Sequence, residues 1–131
     1  MKWINWVAVC TVLCTIGCEP KLVLELERRG KAYQFELHRE DDKRAFGAES
    51  FGVMEGSNVT CEIRHAPGPG PRVSAWTYGS SPSGYSLSPH CEPLQTGRTY
   101  RATGGGRFFG MLFFRLKADG DVEILHRGVP D

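Results

Sequence analysis

The sequence lacks an apolar run long enough to cross a bilayer, a surplus of charge of either sign, and a sustained helical period. Its N-terminal apolar stretch extends from Trp3 to Ile16 and is interrupted by Asn5, whereas a membrane-spanning helix needs roughly 20 apolar residues. Lysine and arginine number 16 against 15 aspartate and glutamate residues. Because nucleic-acid binding needs clustered cations, this balance predicts no nucleic-acid partner.

Recognisable catalytic motifs are also missing from the sequence. It contains no G-x-S-x-G elbow, no H-E-x-x-H, no P-loop and no G-x-G-x-x-G. The glycine run Gly104-Gly105-Gly106 joins two predicted strands, so it lacks the following helix that would hold a phosphate, and a turn or bulge is expected there. The histidines are scattered, and the Asp41-Asp42 pair is interpreted as a solvated loop. We therefore predict that the protein is not an enzyme and holds no metal and no cofactor.

The N-terminal segment has the pattern of an export signal. One lysine precedes the apolar stretch, which ends in Thr15-Ile16-Gly17-Cys18 and is followed by Glu19. These four residues resemble the lipobox of bacterial lipoproteins, with Thr15 where that family usually has leucine. The resemblance implies cleavage before Cys18, acylation of Cys18 and, since Glu19 and not aspartate follows, an outer-membrane location facing the periplasm. It divides the chain into a signal peptide, residues 1–17, and one lipid-anchored β-rich domain, residues 18–131.

Two other interpretations of this segment remain open. Thr15 and Gly17 also satisfy the small-residue rule of the general signal peptidase, which would release a soluble secreted protein. Alternatively, the stretch would stay as an uncleaved buried helix, although no polar face makes it amphipathic. A single acyl chain binds a membrane only marginally, so firm anchoring requires the several chains that such lipoproteins carry.

Cysteine arithmetic predicts one disulfide in the mature domain. Of the five cysteines, cleavage and acylation of Cys18 leave Cys61 and Cys91 as one pair. In an oxidising periplasm this pair is expected to form a bridge, worth on the order of 3.5 kcal/mol in the chain-entropy model. Two unrelated buried thiols are the alternative. The two cysteines lie in no C-x-x-C, and His65 and His90 are not at zinc-ligand spacing.

The rest of the chain alternates apolar and polar residues and is often broken by glycine, proline and serine, a pattern typical of antiparallel β structure. Strands are predicted at residues 22–27, 33–38, 59–64, 72–78, 98–103, 108–117 and 122–126. Residues 40–56 are predicted to form a long loop with at most a short strand at 50–54, and residues 80–89 a loop or a short edge strand. Asp119-Gly120 predicts a type I′ turn between the last two strands.

One spacing narrows the fold class. Leu94, Gly97 and Tyr100 resemble the L-x-x-G-x-x-Y signature of the tyrosine corner in fibronectin type III and immunoglobulin-like sandwiches. Cys61 followed by Trp76 is similar to the cysteine and tryptophan of immunoglobulin strands. The resemblance implies an all-β, antiparallel Ig-like β-sandwich, with a small β-barrel as the alternative. Cys91 precedes Tyr100 instead of following it, so the inter-sheet bridge of that family is not implied.

The predicted function is an interaction and not a reaction. Trp76, Tyr78 and Tyr85 would form a surface patch for a protein or glycan partner, since such residues are enriched at binding hot spots, or they would cap a small core. We expect a non-catalytic lipoprotein that contacts another envelope protein. The alternative is a small inhibitor or ligand-binding lipoprotein similar to the periplasmic lysozyme inhibitors, of whose motif only Ser83-Gly84-Tyr85 is present.

Overall fold

The computed structural model describes residues 19–88 and 91–128, so Cys18 and the predicted signal peptide lie outside the described residues. Strands alternate with turns throughout these two ranges: β1 Leu22–Arg29, β2 Ala32–Arg39, β3 Ser50–Glu55, β4 Asn58–His65, β5 Ala75–Thr77, β6 Tyr85–Leu87, β7 Thr99–Gly105, β8 Phe109–Leu116 and β9 Val122–Arg127. They form a small sheet of order β1-β2-β5 and a large sheet of order β6-β4-β3-β7-β8-β9. Within the described ranges, no helix is long and apolar enough to cross a membrane.

The two sheets are antiparallel and pack face to face without closing into a barrel, which confirms the prediction of an Ig-like sandwich. Trp76 of the small sheet joins the layers, because its ring stacks on Phe35 at 5.5 Å and on Phe51 of the large sheet at 6.0 Å between centroids. Further buried apolar side chains point inward at every second position of their strands: Leu24, Leu26, Leu37, Val53, Cys61, Ile63, Tyr100, Ala102, Leu112, Phe114 and Leu116. Full burial of such a side chain contributes about 1.5–3 kcal/mol, which makes this interior the main source of stability.

Strand β3 is a central strand, although the sequence predicted at most a short strand within a long loop. It lies between β4 and β7 in the large sheet and pairs with both along its length. Gly52 interrupts its apolar alternation, and Gly47 and Gly56 flank it. Because glycine has low strand propensity, the sequence pattern does not indicate a full strand here. Pairing with β4 and β7 nevertheless stabilises one.

A β-bulge in β4 reverses the side on which Val59 points. Val53 of β3 pairs with Cys61, but the next residue, Met54, pairs with Val59, so Thr60 is the extra residue. Val59 is consequently 51% exposed. Simple alternation had placed it on the core face together with Cys61.

The hairpin between β8 and β9 is present, but its turn is not type I′. That turn requires positive φ at both central residues, and only Gly120 of the predicted pair has it, at 86°. The Gly120 N–H instead donates to the Lys117 carbonyl over 2.8 Å, and the Lys117 N–H donates to Asp121 over 2.8 Å. The left-handed glycine therefore closes a longer connection.

The tyrosine corner and the disulfide are both confirmed. Tyr100 is 2% exposed, and its hydroxyl accepts a hydrogen bond from the Gln95 N–H at 2.9 Å. Cys61 and Cys91 are bridged. The bridge joins β4 to the segment after β6, so it straps the edge of the large sheet instead of linking the two sheets. The Glu92 N–H, which donates to the Thr60 carbonyl at 3.2 Å, holds the same segment against the bulge.

Two facing glycines set the closest approach between the layers. Gly104 of β7 pairs with Gly110 of β8. A β-carbon on Gly110 would lie 2.8 Å from the Leu24 backbone nitrogen, and one on Gly104 would lie 2.8 Å from the Phe51 ring. Strand β1 can therefore pack directly on the backbone of β8.

Candidate functional site: the outer face of the large sheet

The aromatic residues predicted to form a surface patch do not form one. Trp76 is 1% and Tyr85 7% exposed, while Tyr78 is partly buried against the core. Each ring can be buried because its polar atom finds a backbone partner. The Trp76 Nε1 donates to the Ser80 carbonyl at 2.9 Å, and the Tyr85 hydroxyl accepts from the Val73 N–H at 2.9 Å.

The same hydroxyls are poor candidates for proton chemistry. The Tyr78 hydroxyl donates to the Glu92 carbonyl and the Tyr85 hydroxyl donates to the Ala48 carbonyl. Burial raises the pKa of both phenols. They remain neutral at physiological pH and act as anchors for the segments that cover the core, and the Tyr85 ring of the Ser83-Gly84-Tyr85 triplet is not presented to a partner.

The large sheet presents a row of apolar, arginine and histidine side chains on its outer face. Strand register makes five residues successive cross-strand neighbours, and we call them the outer row: Val59, Met54, Arg101, Phe113 and His126. Met54, Arg101 and Phe113 are partly exposed. The Phe113 ring lies 6.2 Å from the His126 ring. With neighbouring strands about 4.8 Å apart, the row is roughly 19 Å wide.

Arg101 occupies the centre of the outer row without a carboxylate partner among the described residues. Its Nη2 lies 2.9 Å from the Met54 sulfur. Its Nε is buried and has no hydrogen-bond partner within residues 19–88 and 91–128. The nearby carboxylates are already paired, Glu55 with Arg98 at 3.2 Å and Glu123 with Arg115 at 3.0 Å.

A shallow groove runs beside the outer row. Its volume is about 330 Å³, and its lining includes Ser50, Arg101, Thr103, Phe109 and Met111. The groove is open along the sheet surface and combines thioether, aromatic and hydroxyl groups with one guanidinium. Methionine, aromatic residues and arginine are enriched in protein interfaces, so this composition suits the side chains of a protein partner.

The outer face of the small sheet has the opposite character. Arg29 lies 3.6 Å from both Glu27 and Glu36, and the His38 ring lies 3.7 Å from Glu25. Arginine is thus paired with glutamate, and histidine, which is positive only when protonated, also lies beside a glutamate. The face is therefore well solvated, and the ionisable side chains of these pairs already have partners.

Ionisable groups elsewhere form structural pairs. Hydrogen bonds from the Arg39 guanidinium lower the pKa of Asp41 to about 2, and the Arg72 guanidinium, 2.8 Å away, lowers the pKa of Glu49. A general acid working near neutral pH would need a raised pKa, so neither carboxyl fits that role. The part of the chain that the structure describes contains no group of three or more histidine, cysteine, aspartate or glutamate residues arranged to hold a metal.

The outer row could not be predicted from the sequence, because the row is formed by strand pairing. Met54 lies on the strand that the sequence did not establish, and Val59 reaches the row only through the bulge. One signal was available: β8, Phe109–Leu116, is apolar on both of its faces. Such a strand indicates either burial on both sides or an exposed apolar surface.

Comparison of the chain with family models, curated proteins and solved structures finds no match to any of them.

Proposed function

We propose that this protein is an exported, lipid-anchored protein of the outer membrane, facing the periplasm, whose domain binds another envelope protein through the outer row and catalyses no reaction. Acylation of Cys18 would supply the anchor. The Cys61–Cys91 bridge is compatible with an oxidising compartment outside the cytoplasm. The observation that carries the proposal is Arg101 at the centre of the outer row, with an unpaired Nε and no carboxylate partner for its guanidinium among the described residues.

The chemistry of the row predicts the chemistry of the partner. The Arg101 guanidinium has no carboxylate partner within the described structure, where its Nη2 meets only the Met54 sulfur, and a carboxylate is the acceptor that matches a guanidinium in geometry and charge. Met54, Val59 and Phe113 surround it with apolar surface. A partner that places an acidic side chain between apolar ones would pair with the exposed end of the guanidinium and exclude water from the pair.

Site-specific photocrosslinking in the native envelope tests this surface. A photoreactive residue at position 113, in the outer row, should capture one envelope protein, whereas the same residue at position 36, on the small sheet, should not. Arg101→Met keeps an unbranched, apolar stem and removes the charge, so it should abolish capture at position 113 while the protein stays folded and anchored. Equal capture at both positions, or capture that is unaffected by Arg101→Met, would contradict the proposal. A soluble enzyme as the captured protein, inhibited on binding, would identify an inhibitor instead.

The anchor is tested separately. Cys18→Ser should release the protein into the soluble fraction or leave the precursor uncut, and mass spectrometry of the parent should find an acylated N-terminus at Cys18. An unmodified N-terminus in membrane-free material would contradict acylation.

A further inference from the structure

We propose that the β7–β8 end of the sandwich rests in the lipid–water interface of the bilayer to which Cys18 is attached. The contact surface, which we call the entry tip, consists of Lys21, Arg107, Phe108 and Phe109. The inference rests on the proposed acylation of Cys18 and adds an orientation of the domain on the membrane. The occupant of this surface is therefore a phospholipid bilayer.

The described chain begins beside this tip, so a lipid anchor on Cys18 would also be attached near it. Pro20 and Lys21 line one shallow concavity together with Arg107, Phe108 and Phe109. Cys18 precedes Pro20 by two residues, and consecutive α-carbons are 3.8 Å apart, so acyl chains on Cys18 would be attached within about 8 Å of Pro20. This tether is too short to hold the domain away from the bilayer.

The side chains of the tip suit the lipid–water interface. Phe109 is 49% exposed, which is exceeded by only one large apolar residue of the described chain. The Arg107 guanidinium carbon lies 5.5 Å from the centroid of the Phe108 ring. A phenylalanine can enter the acyl boundary while arginine and lysine keep their charged ends among phosphates.

Charge is a minor part of this contact. Glu40 lines the same concavity as Lys21 and Arg107. The side chain of Glu49 lies close to Gly106, but its carboxylate is held by Arg72. With both signs present, the aromatic rings and the anchor carry the contact, so its dependence on salt should be weak.

This orientation leaves the outer row in water, while Phe109, at the tip end of the neighbouring groove, enters the lipid–water interface. Gly105 at the tip pairs with Ser50, whereas Arg101 pairs with Met54, four residues along the strands. At about 3.4 Å per residue the row is roughly 14 Å from the tip along the strands. Val59 lies in the same row and provides a matched exposed position away from the bilayer.

The test uses the mature protein, residues 18–131 with Cys18 acylated. It is placed in vesicles of phosphatidylethanolamine and phosphatidylglycerol whose acyl chains are brominated. Phe109→Trp and Val59→Trp each add one fluorophore at an exposed site, while the native Trp76 is buried and gives the same background in both. Bromine quenches tryptophan on contact. The Phe109→Trp variant should lose most of its added emission, the Val59→Trp variant should lose almost none, and 0.5 M salt should change neither result.

Two outcomes would overturn the orientation. Equal quenching of both variants would show that the outer face of the large sheet lies flat on the membrane, and absence of quenching in acylated, vesicle-bound Phe109→Trp protein would show that the tip is held in water. Failure of the anchor is distinguishable from both, because the protein would then have an unmodified N-terminus and would not float with the vesicles. That result would overturn the proposed acylation together with the orientation that depends on it.

Discussion

The two sheets of this sandwich present different outer faces to the solvent. The small sheet carries acidic, basic and histidine side chains that are paired with one another, as Arg29 is with Glu27 and Glu36. The large sheet carries Met54, Phe113 and Val59 around an arginine that has no carboxylate within the described residues. Both faces cover the same interior.

The composition of an outer sheet face is therefore not dictated by the fold in this protein. A solvated sheet face needs only polar alternation, which the small sheet has. Exposed methionine and aromatic side chains stabilise a monomer little, so their presence on the large sheet is better explained by a partner. If so, mutations in the interior should lower stability, mutations in the outer row should lower partner binding, and mutations on the small sheet should change neither much.

The largest effect on stability should come from removing a core side chain of β8. The neighbouring side chain on the outer face of the same strand provides the comparison. Phe114 points into the core and is fully buried, so Phe114→Ala should cost about 3–5 kcal/mol in the free energy of unfolding. Its neighbour Phe113 points outward, and Phe113→Ala should cost less than about 1 kcal/mol while abolishing partner capture by a photoreactive residue placed at position 126 of the outer row. Chemical denaturation measures both values. Similar costs for the two variants would mean that the outer row serves stability.

Removing the disulfide should have the next largest effect. The double variant Cys61→Ala/Cys91→Ala should lose about 2–4 kcal/mol, because the bridge restricts the unfolded chain and straps the edge of the large sheet. Guanidinium unfolding of the exported protein measures the loss. As a control, alkylation of the unfolded parent without reductant should label neither cysteine. Stoichiometric labelling of both would contradict the bridge.

A smaller loss is expected at the tyrosine corner. Tyr100→Phe removes the acceptor for the Gln95 N–H, which should cost about 1 kcal/mol. For a domain of this size that corresponds to a fall of about 4 °C in Tm. Thr99→Ala, on the exposed side of the same strand, is the matched control and should change Tm little. A Tyr100→Phe variant as stable as the parent would show that the bond contributes nothing.

Charges on the small sheet should matter still less. Arg29 and its two glutamate partners are exposed, so Arg29→Ala should change the free energy of unfolding by less than about 1 kcal/mol, and salt should reduce the difference further. Partner capture should be unchanged. A loss of capture comparable to that of Arg101→Met would remove the distinction between the two faces.

The smallest effect should appear in acid. The pKa of Asp41 is lowered to about 2 by Arg39, and a carboxyl with a lowered folded-state pKa stabilises the protein fully above its unfolded pKa near 4. This contribution should be lost as the pH falls from about 4 to 2. Because the carboxyl is exposed, Asp41→Asn should only slightly flatten the acid limb of the stability curve. An identical or steeper acid limb in the variant would contradict this assignment.

The sequence was sufficient for the fold class and for several individual contacts. Alternation in residues 22–38 and 98–126 depends on local side-chain pattern, so strands β1, β2, β7, β8 and β9 were predictable from it. The Leu94-Gly97-Tyr100 spacing and the two remaining cysteines predicted contacts that the structure contains.

The candidate site was not predictable because it is assembled from non-local pairing. Met54, Arg101 and Phe113 are far apart in the chain and become neighbours only in the sheet register. The surface patch was predicted wrongly, and the alternative, that Trp76, Tyr78 and Tyr85 cap the core, is the one that the structure contains, although each ring carries a polar atom. In the structure those atoms bond to the backbone, which permits burial.

The contact of β1 with the Gly104–Gly110 pair limits how this sequence can diverge. Apolar core residues such as Leu112 can be replaced by others of similar volume. A β-carbon at Gly110 would instead meet the backbone of Leu24, which has no alternative rotamer to adopt. Homologues should therefore exchange their aromatic and aliphatic interior before they lose this glycine. Two glycines facing each other across one hairpin would identify distant members of the fold whose cysteines and tyrosine corner have been lost.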